Sequence, residues 1–328
     1  MMADENLLFY LLTFLVAFSV TAFSVKMLIP RLKRSAEQPI YEEGPVWHLK
    51  KQGTPTMGGL GFIFSLCICA LVSSVYLFSK KEYYFANSLL ITMLYVLSNA
   101  LIGIVDDYAK IKKKENAGLT PIQKLALQAI AATLFLLARR IFLLSSTAIY
   151  FSFGSLDLGV FYYPLALIML IGTVNSANLT DGVDGIASGV AFAIGISLAF
   201  LSAGANYEVG FLSFIMMGIA VAFLIFNIHP AKIFMGDTGS LLFGSLAAAA
   251  CTSLGNPLII LFVGGIYLIE SLSVILQVSF FKITHKRLFK MAPFHHHLEK
   301  CGWGENKIVI WAIILTLLFS VPAIFMFV

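Results

Sequence analysis

Charged side chains are scarce in this sequence, and their scarcity excludes a large water-soluble domain. Asp, Glu, Lys and Arg make up 12% of the 328 residues, whereas a soluble domain carries roughly twice that fraction. Cysteine is also rare: the four cysteines form no C-x-x-C pair and three lie in apolar runs, which argues against disulfides and cysteine zinc sites. The first apolar run begins at Leu7 without a basic flank or a following cleavage site, so we predict no cleavable signal.

Hydrophobic residues are correspondingly abundant, at 59% of the chain, and the mean hydropathy is +0.90. Apolar runs of roughly 20 residues, the length that crosses a bilayer, recur along the whole chain. They predict an all-α polytopic membrane protein with one integral membrane domain, 1–328. We place ten spans at about 7–29, 57–78, 85–105, 120–139, 162–178, 186–203, 209–228, 239–254, 258–281 and 306–327.

Two interruptions of this pattern predict local features. The segment Thr147–Tyr163 alternates apolar and polar residues around Gly154-Ser155, which predicts a short β-hairpin on the membrane surface. In the ninth span, Gly264-Gly265 permits a bend after which the second half would leave the bundle.

Basic residues fall unequally on the two sides that ten spans define. One side carries most of them, whereas the other holds only Lys80, Lys81, Arg139 and Arg140. The positive-inside rule makes the basic side cytoplasmic and places both termini outside the cytoplasm. The net charge of +5 is therefore read as a signal of orientation, and no nucleic-acid binding is predicted.

The stretch Asn175–Gly185, NSANLTDGVDG, is far more polar than the apolar runs on either side of it. It can be read as a helix cap followed by a solvated loop. It can also be read as part of a functional site, because polar groups at membrane depth are usually functional.

Further carboxylates lie near the ends of other spans on the side predicted to be cytoplasmic. Asp106 and Asp107 end the third span, Asp181 and Asp184 follow the fifth, and Asp237 precedes the eighth. These groups repel one another unless a cation or a basic substrate lies among them. Oxygen ligands suit magnesium or manganese, so the pattern predicts a metal-assisted phosphate site. The alternative is a set of separate caps without a shared site.

Neighbouring motifs admit both functional and structural readings. Lys110 lies one helical turn from Asp106 or Asp107, and Lys124 either meets a phosphate or extends to the interface. The loop Gly53–Gly61 offers backbone amides to a phosphate or is a flexible helix start. Glu270 makes an interhelical bond or has a functional role.

One interpretation of the histidine run at 295–297, a shared metal site, is excluded. Adjacent side chains diverge, so the three imidazoles are not expected to bind one metal ion. A role in binding phosphate or sugar is preferred.

The ordered motifs TPTMGG, DDY, NLTDGVDG, FMGDTG and PFHHHLE together resemble the phospho-N-acetylmuramoyl-pentapeptide transferases, the translocase I family. The resemblance extends over essentially the whole chain. It implies that UDP-N-acetylmuramoyl-pentapeptide and undecaprenyl phosphate give lipid I and UMP in the bacterial cell membrane, with Mg2+ and the active site on the cytoplasmic face. It also implies contact with membrane lipid, inhibition by nucleoside natural products and a homodimer.

The resemblance assigns roles by position. It implies catalytic roles for Asp106, Asp107, Asp237, His296 and His297, and magnesium contacts for Asp237 and Asp184. Asp106 is the candidate base on the lipid phosphate, and Phe234 matches an aromatic that stacks on uracil. Substrate contacts are implied for Lys51, Thr56, Lys110, Lys124, Asn175, Asn178, Asp181, Asp184, Asn227, Phe234, Gly236, Gln277 and His295.

Several alternatives stay open at the level of sequence. Transfer can proceed by direct attack or through an aspartyl-phosphate intermediate, and direct attack is preferred because a lipid phosphate is already largely ionised. A sibling transferase would use UDP-N-acetylglucosamine. A cation-coupled transporter would place its carboxylates within the spans, whereas here nearly all acidic groups are predicted to lie at the cytoplasmic boundary, with Glu270 the exception.

Overall fold

The computed structural model describes residues 2–33, 51–113, 118–202 and 206–327, which are almost entirely helical. The described α-helices are α1 (Met2–Leu32), α2 (Leu60–Ser79), α3 (Tyr83–Lys113), α4 (Pro121–Leu143), α5 (Tyr162–Thr180), α6 (Ile186–Leu201), α7 (Tyr207–Asn227), α8 (Gly236–Ser253), α9 (Ile260–Val263), α10 (Gly265–Thr284), α11 (Phe294–Lys300) and α12 (Glu305–Phe327). Short 3-10 turns at Gly159–Phe161 and Pro257–Ile259 precede α5 and α9.

Each of the ten predicted spans corresponds to helical structure. In the described residues, eight helices are long and apolar enough to cross a membrane: α1 to α5, α7, α10 and α12. The other two are inner helices. Helix α6 has 16 residues, and α8 consists largely of glycine, alanine and serine. The prediction of an all-α polytopic membrane protein is confirmed.

Helix α8 lies at the centre of the bundle and is buried from Asp237 to Ser253. Small residues permit this close packing. A Cβ added at Gly244 would lie 2.8 Å from Ala177 Cβ of α5, and one at Gly103 of α3 would lie 2.5 Å from the Asp237 carbonyl oxygen. The outer helices instead expose large apolar side chains such as Phe23 and Leu134, as lipid contact requires.

The ninth predicted span is broken at the glycine pair. Helix α9 ends at Val263, Gly264 lies between the two helices, and α10 begins at Gly265. Only the first half of α10 is buried, up to Ser273. Beyond it, Ile275, Val278 and Ile283 are exposed, so the second half leaves the bundle as the glycines permit.

The predicted hairpin is present, with a correction to its turn. Strands β1 (Ala148–Phe151) and β2 (Gly154–Asp157) pair antiparallel, with Phe151 opposite Gly154. The turn is therefore 152–153, and Gly154 begins β2 at φ +148°, a conformation open to glycine. The hairpin holds the end of α12 because Ser152 N–H donates to the Met326 carbonyl at 2.7 Å.

A buried polar network joins four helices at the end of the bundle that carries the hairpin. Arg139 donates to Ser88 at 2.8 Å and to Ser253 at 2.9 Å. Glu208 accepts from Thr92 at 2.6 Å and lies 3.7 Å from the Arg139 guanidinium. Every charge in this network has a partner, as buried ions require.

Adjacent arginines test the network. Arg139→Gln leaves Glu208 as a buried, uncompensated carboxylate, so we expect the free energy of unfolding to fall by about 3–5 kcal/mol. Arg140 is exposed, and Arg140→Gln is expected to change stability by less than about 1 kcal/mol. Thermal unfolding in detergent measures both variants. Equal unfolding midpoints for the two would show that the network contributes little.

Candidate functional site

The five aspartates singled out from the sequence lie at one end of the bundle, opposite the hairpin, which we call the acidic end. Four of them fall into two groups. In the first, Asp106, Asp107 and Asp237 each offer an oxygen, and these oxygens lie within 4.8 Å of one another. In the second, Asp184 lies with His229 and Glu305. Asp107 and Asp237, which are 130 positions apart, are in contact. The predicted alternation of the spans accounts for this, because it brings the ends of both helices to the same side.

Asp107 caps the first turn of α8. Its carboxylate accepts from Asp237 N–H at 3.0 Å, from Thr238 N–H at 3.0 Å and from the Thr238 hydroxyl at 2.7 Å. A carboxylate at a helix N-terminus satisfies unpaired amides and interacts favourably with the helix dipole. Asp107 therefore has a positioning role, and the residue that it positions is Asp237.

Asp237 is surrounded by cationic and amide groups. Lys124 Nζ forms a close ion pair with Oδ2, and Lys110 Nζ lies 3.2 Å from the same oxygen. Asn178 donates to Oδ1 at 3.0 Å. The structure thus brings together four of the predicted site residues, from α3, α4, α5 and α8.

Asp106 lies between this cluster and the start of α4. Lys110 Nζ is 2.7 Å from its Oδ2, and Leu119 N–H donates to Oδ1 at 2.8 Å. Lys110 therefore contacts both Asp106 and Asp237, which confirms that it lies one helical turn from the aspartates. Lys124 does not extend to the interface, because its ammonium lies in the cluster.

The second group centres on Lys51. Its ammonium lies 2.7 Å from Asp184 Oδ1 and 2.7 Å from Glu305 Oε2. His229 Nδ1 lies 3.0 Å from Asp184 Oδ2 and 3.1 Å from Glu305 Oε1. The sequence reasoning missed His229 and Glu305. Their positions in the sequence could have indicated them, because His229 follows one span and Glu305 begins another at the boundary that carries the aspartates.

Asp181 lies between the two groups. In the part of the chain that the structure describes, its side chain makes no hydrogen bond. Burial raises its pKa well above the ordinary value, and the charges of Asp237, Asp107 and Asp184 raise it further, against a smaller lowering by Lys51. The uncompensated carboxylate is suited to a cation or a donor group of a ligand.

The glycine-rich loop corrects one expectation. Gly58 N–H donates to the Phe234 carbonyl at 2.9 Å, and Gly59 N–H donates to the Met235 carbonyl at 3.0 Å. These amides hold the loop against the start of α8 and are not available to a phosphate. Thr56 is buried beside Gly236, where an added Cβ would lie 3.0 Å from the Thr56 hydroxyl and 2.5 Å from Asp107 Oδ2. Phe234 is half-buried at the rim.

Three predicted substrate contacts also connect segments of the protein. Asn227 is buried; it accepts from Gly185 N–H at 3.0 Å and donates to the Ile233 carbonyl at 2.9 Å. Asn175 donates to Gln128 at 2.7 Å. Gln277 accepts from Phe289 N–H at 2.8 Å and so ties the outer half of α10 to the segment before α11. Their roles toward a substrate stay predictions.

The three histidines of α11 have three different environments, as divergent side chains require. His295 is buried with Nδ1 3.1 Å from Glu270, and an added Cβ at Gly182 would lie 2.2 Å from its Nε2. His296 lies 2.5 Å from Glu299. His297 Nδ1 accepts from Lys290 N–H at 3.1 Å. The contact of Glu270 with His295 of α11 supports the interpretation that Glu270 makes a structural bond between helices.

The oxygen-only group at Asp106, Asp107 and Asp237 fits a hard divalent cation. Asp107 is largely engaged as a cap, which leaves Asp237 and Asp106 as the better ligands. Asp184 contacts Lys51 and belongs to the second group, so its predicted magnesium contact concerns a different place from that of Asp237. Beside the second group is a cavity of about 800 Å³, bounded by His229, Glu305 and the turn from α11 to α12.

Comparison with known proteins gives consistent matches. The model of Glycosyl transferase family 4 matches residues 88–255. A phospho-N-acetylmuramoyl-pentapeptide-transferase of Halalkalibacterium halodurans is 42% identical over 320 residues, 96% of this chain and 97% of that protein. The protein of the same name from Staphylococcus carnosus is 42% identical over 90% of this chain and 92% of its own length, and that from Caldicellulosiruptor bescii is 38% identical over 96% and 97%.

The cap on α8 is tested by Asp107→Asn. The amide nitrogen would face donors, and the helix would lose a charged cap, so we expect the free energy of unfolding to fall by about 1–2 kcal/mol. Thermal unfolding in metal-free detergent solution measures it. Unchanged stability would contradict the capping role.

Asp181→Asn is expected to act in the opposite direction. A carboxylate whose pKa is raised on folding destabilises the folded state where it is ionised, and this effect vanishes below the unfolded pKa of about 3.8. The variant should therefore unfold at a higher temperature than wild type at pH 8 and lose this advantage near pH 4. An advantage that does not change with pH would exclude the electrostatic cause.

Proposed function

The chain belongs to Glycosyl transferase family 4, among the phospho-N-acetylmuramoyl-pentapeptide transferases, and from this we infer the reaction that it catalyses. It transfers phospho-N-acetylmuramoyl-pentapeptide from UDP-N-acetylmuramoyl-pentapeptide to undecaprenyl phosphate. The products are lipid I and UMP. This is the first membrane step of peptidoglycan synthesis.

The observation that carries the proposal is the first aspartate group with its two lysines. Phosphoryl transfer requires positioning and neutralisation of phosphate charge more than covalent chemistry from the protein. Asp237 would hold Mg2+, with Asp106 beside it, and the ion would neutralise charge on the phosphate oxygens when bound. Lys110 and Lys124 place ammonium groups at the same point, where donor phosphates would contact them.

We propose direct attack by the lipid phosphate. One of its oxygens bonds to the β-phosphorus of the donor, the bond from that phosphorus to the bridging oxygen breaks, and UMP leaves. Asp106 accepts any remaining proton of the lipid phosphate. Asp107 is less suited to this role, because its oxygens already accept three hydrogen bonds. A trapped aspartyl-phosphate would overturn direct attack.

The second group lies where the nucleotide would bind. Phe234, half-buried at the rim, would stack on uracil, with Asn227, Lys51, Asp184 and Asn178 around the uridine. Thr56, Gly236, Asp181 and Asn175 would line the cleft. His296 and His297 would contact the phosphates or sugar. The buried His295 would pack beneath them, and Gln277 would hold the segment before α11 in place.

The acceptor lipid indicates where the enzyme lies in the cell and how it is oriented. We propose a multi-pass protein of the bacterial cell membrane with the acidic end toward the cytoplasm, where the nucleotide donor is found. The exposed outer half of α10 provides the side along which the polyprenyl chain would approach. We also propose that the protein forms a homodimer and that nucleoside natural products inhibit it.

Release of UMP by the purified protein tests the reaction. We expect it to require UDP-N-acetylmuramoyl-pentapeptide, undecaprenyl phosphate and Mg2+, and to fall about 100-fold or more in Asp237→Asn, because charge stabilisation in the transition state is lost. Asp157→Asn, on the hairpin at the other end, is the matched control and should retain wild-type release.

The same assay contains the outcomes that contradict the proposal. Release only with UDP-N-acetylglucosamine would identify the sibling transferase. Folded protein that releases UMP from neither donor would exclude the transferase function. Release by Asp237→Asn at the wild-type rate would exclude that carboxylate from the chemistry.

A further inference from the structure

Two residues that line the cavity beside the second group also contact residues of the proposed donor site. Glu305 lines the cavity and also contacts Lys51. Glu299 lines it and contacts His296 of the histidine motif. A molecule bound at the nucleotide and sugar positions therefore has this cavity as its immediate extension. The cavity volume of about 800 Å³ lies within the range of ligand pockets.

The carboxylates that line this cavity are already paired within the protein. Glu305 contacts Lys51 and His229, and its Oε2 also accepts from Asp184 N–H at 2.9 Å. Glu299 contacts His296 at 2.5 Å. Each of these carboxylates therefore already has a partner within the protein before any ligand arrives.

The lysines that line the cavity, Lys290 and Lys300, are exposed and form no ion pair among the described residues. Lys290 precedes α11 and Lys300 is its last residue, and Lys290 Nζ lies 3.3 Å from the Lys300 carbonyl oxygen. A third lysine, Lys307, lies 4.1 Å above the ring of Trp303, which also lines the cavity. The cavity therefore offers two ammonium groups that have no ion-pair partner among the described residues, and one aromatic side chain.

We propose that this cavity binds the peptide arm of the donor, with Lys290 and Lys300 binding peptide carboxylates and Trp303 contacting its side chains. The inference rests on the proposed function, which supplies a donor with a peptide on its sugar. A peptide attached through its amino end keeps a free carboxylate at the other end. Exposed ammonium groups beyond the sugar site match that chemistry.

Calorimetric titration of the folded, detergent-solubilised protein tests the proposal without turnover. The ligands are UDP-N-acetylmuramoyl-pentapeptide and UDP-N-acetylmuramic acid, with no lipid acceptor. Wild type should bind the peptide donor more tightly. In Lys290→Gln/Lys300→Gln the Kd for the peptide donor should rise about 3–10-fold, the effect of losing two partly exposed ion pairs, while the Kd for the peptide-free donor stays unchanged.

Two controls separate the charge effect from misfolding. Lys282→Gln removes an exposed lysine of α10 that does not line the cavity, and it should leave both Kd values unchanged. A donor whose peptide ends in an amide should bind wild type as weakly as the acidic donor binds the double variant. The substitutions keep the backbone bond from Lys290 N–H to His297.

Each contrary result has a distinct meaning. A double variant that weakens both donors equally, or weakens neither, would overturn the peptide site while the transferase function stands. Equal binding of the amidated and acidic donors to wild type would also overturn it. Wild type that binds neither donor would overturn the proposed function itself.

Discussion

The contact between Asp107 and the first turn of α8 is the interaction on which the acidic end depends. It fixes where the central helix begins, and it therefore fixes Asp237, one residue into that turn. The surrounding helices approach closely because Gly59, Gly103 and Gly239 have no side chain. Charge chemistry at the surface of a membrane thus relies on close packing of small residues beneath it.

This arrangement explains how so many like charges coexist. Asp106 and Asp237 share Lys110, Asp237 also has Lys124, and Asp184 shares Lys51 with Glu305. Each lysine serves the carboxylates of at least one distant element, so the cations hold helices together as well as balancing charge. Asp181 is the exception: burial and the charges of Asp237, Asp107 and Asp184 raise its pKa well above the ordinary value, and Lys51 lowers it by less.

Much of this could be predicted from sequence because it follows from local pattern. Apolar runs locate the helices, and strict alternation of spans places Asp106, Asp181 and Asp237 at one boundary whatever the packing. The division into two groups could not be predicted, since it depends on which helix ends are neighbours. For the same reason Glu305 was not predicted, although it begins a span. The sequence also left open whether the amides of Gly58 and Gly59 bind a phosphate, whereas the structure pairs them with the segment before α8.

The break at Gly264 has a consequence for motion. Helix α8 is buried from Asp237 to Ser253, whereas α10 beyond Ser273 has no buried residue and is joined to the segment before α11 by the hydrogen bond from Phe289 N–H to Gln277. Local opening is easiest where few buried contacts are lost. The outer half of α10 can therefore shift to admit a long, irregular hydrocarbon chain without displacing the carboxylates. Helix α8 thus keeps the reacting carboxylates aligned, whereas the outer half of α10 can adapt to the shape of the lipid.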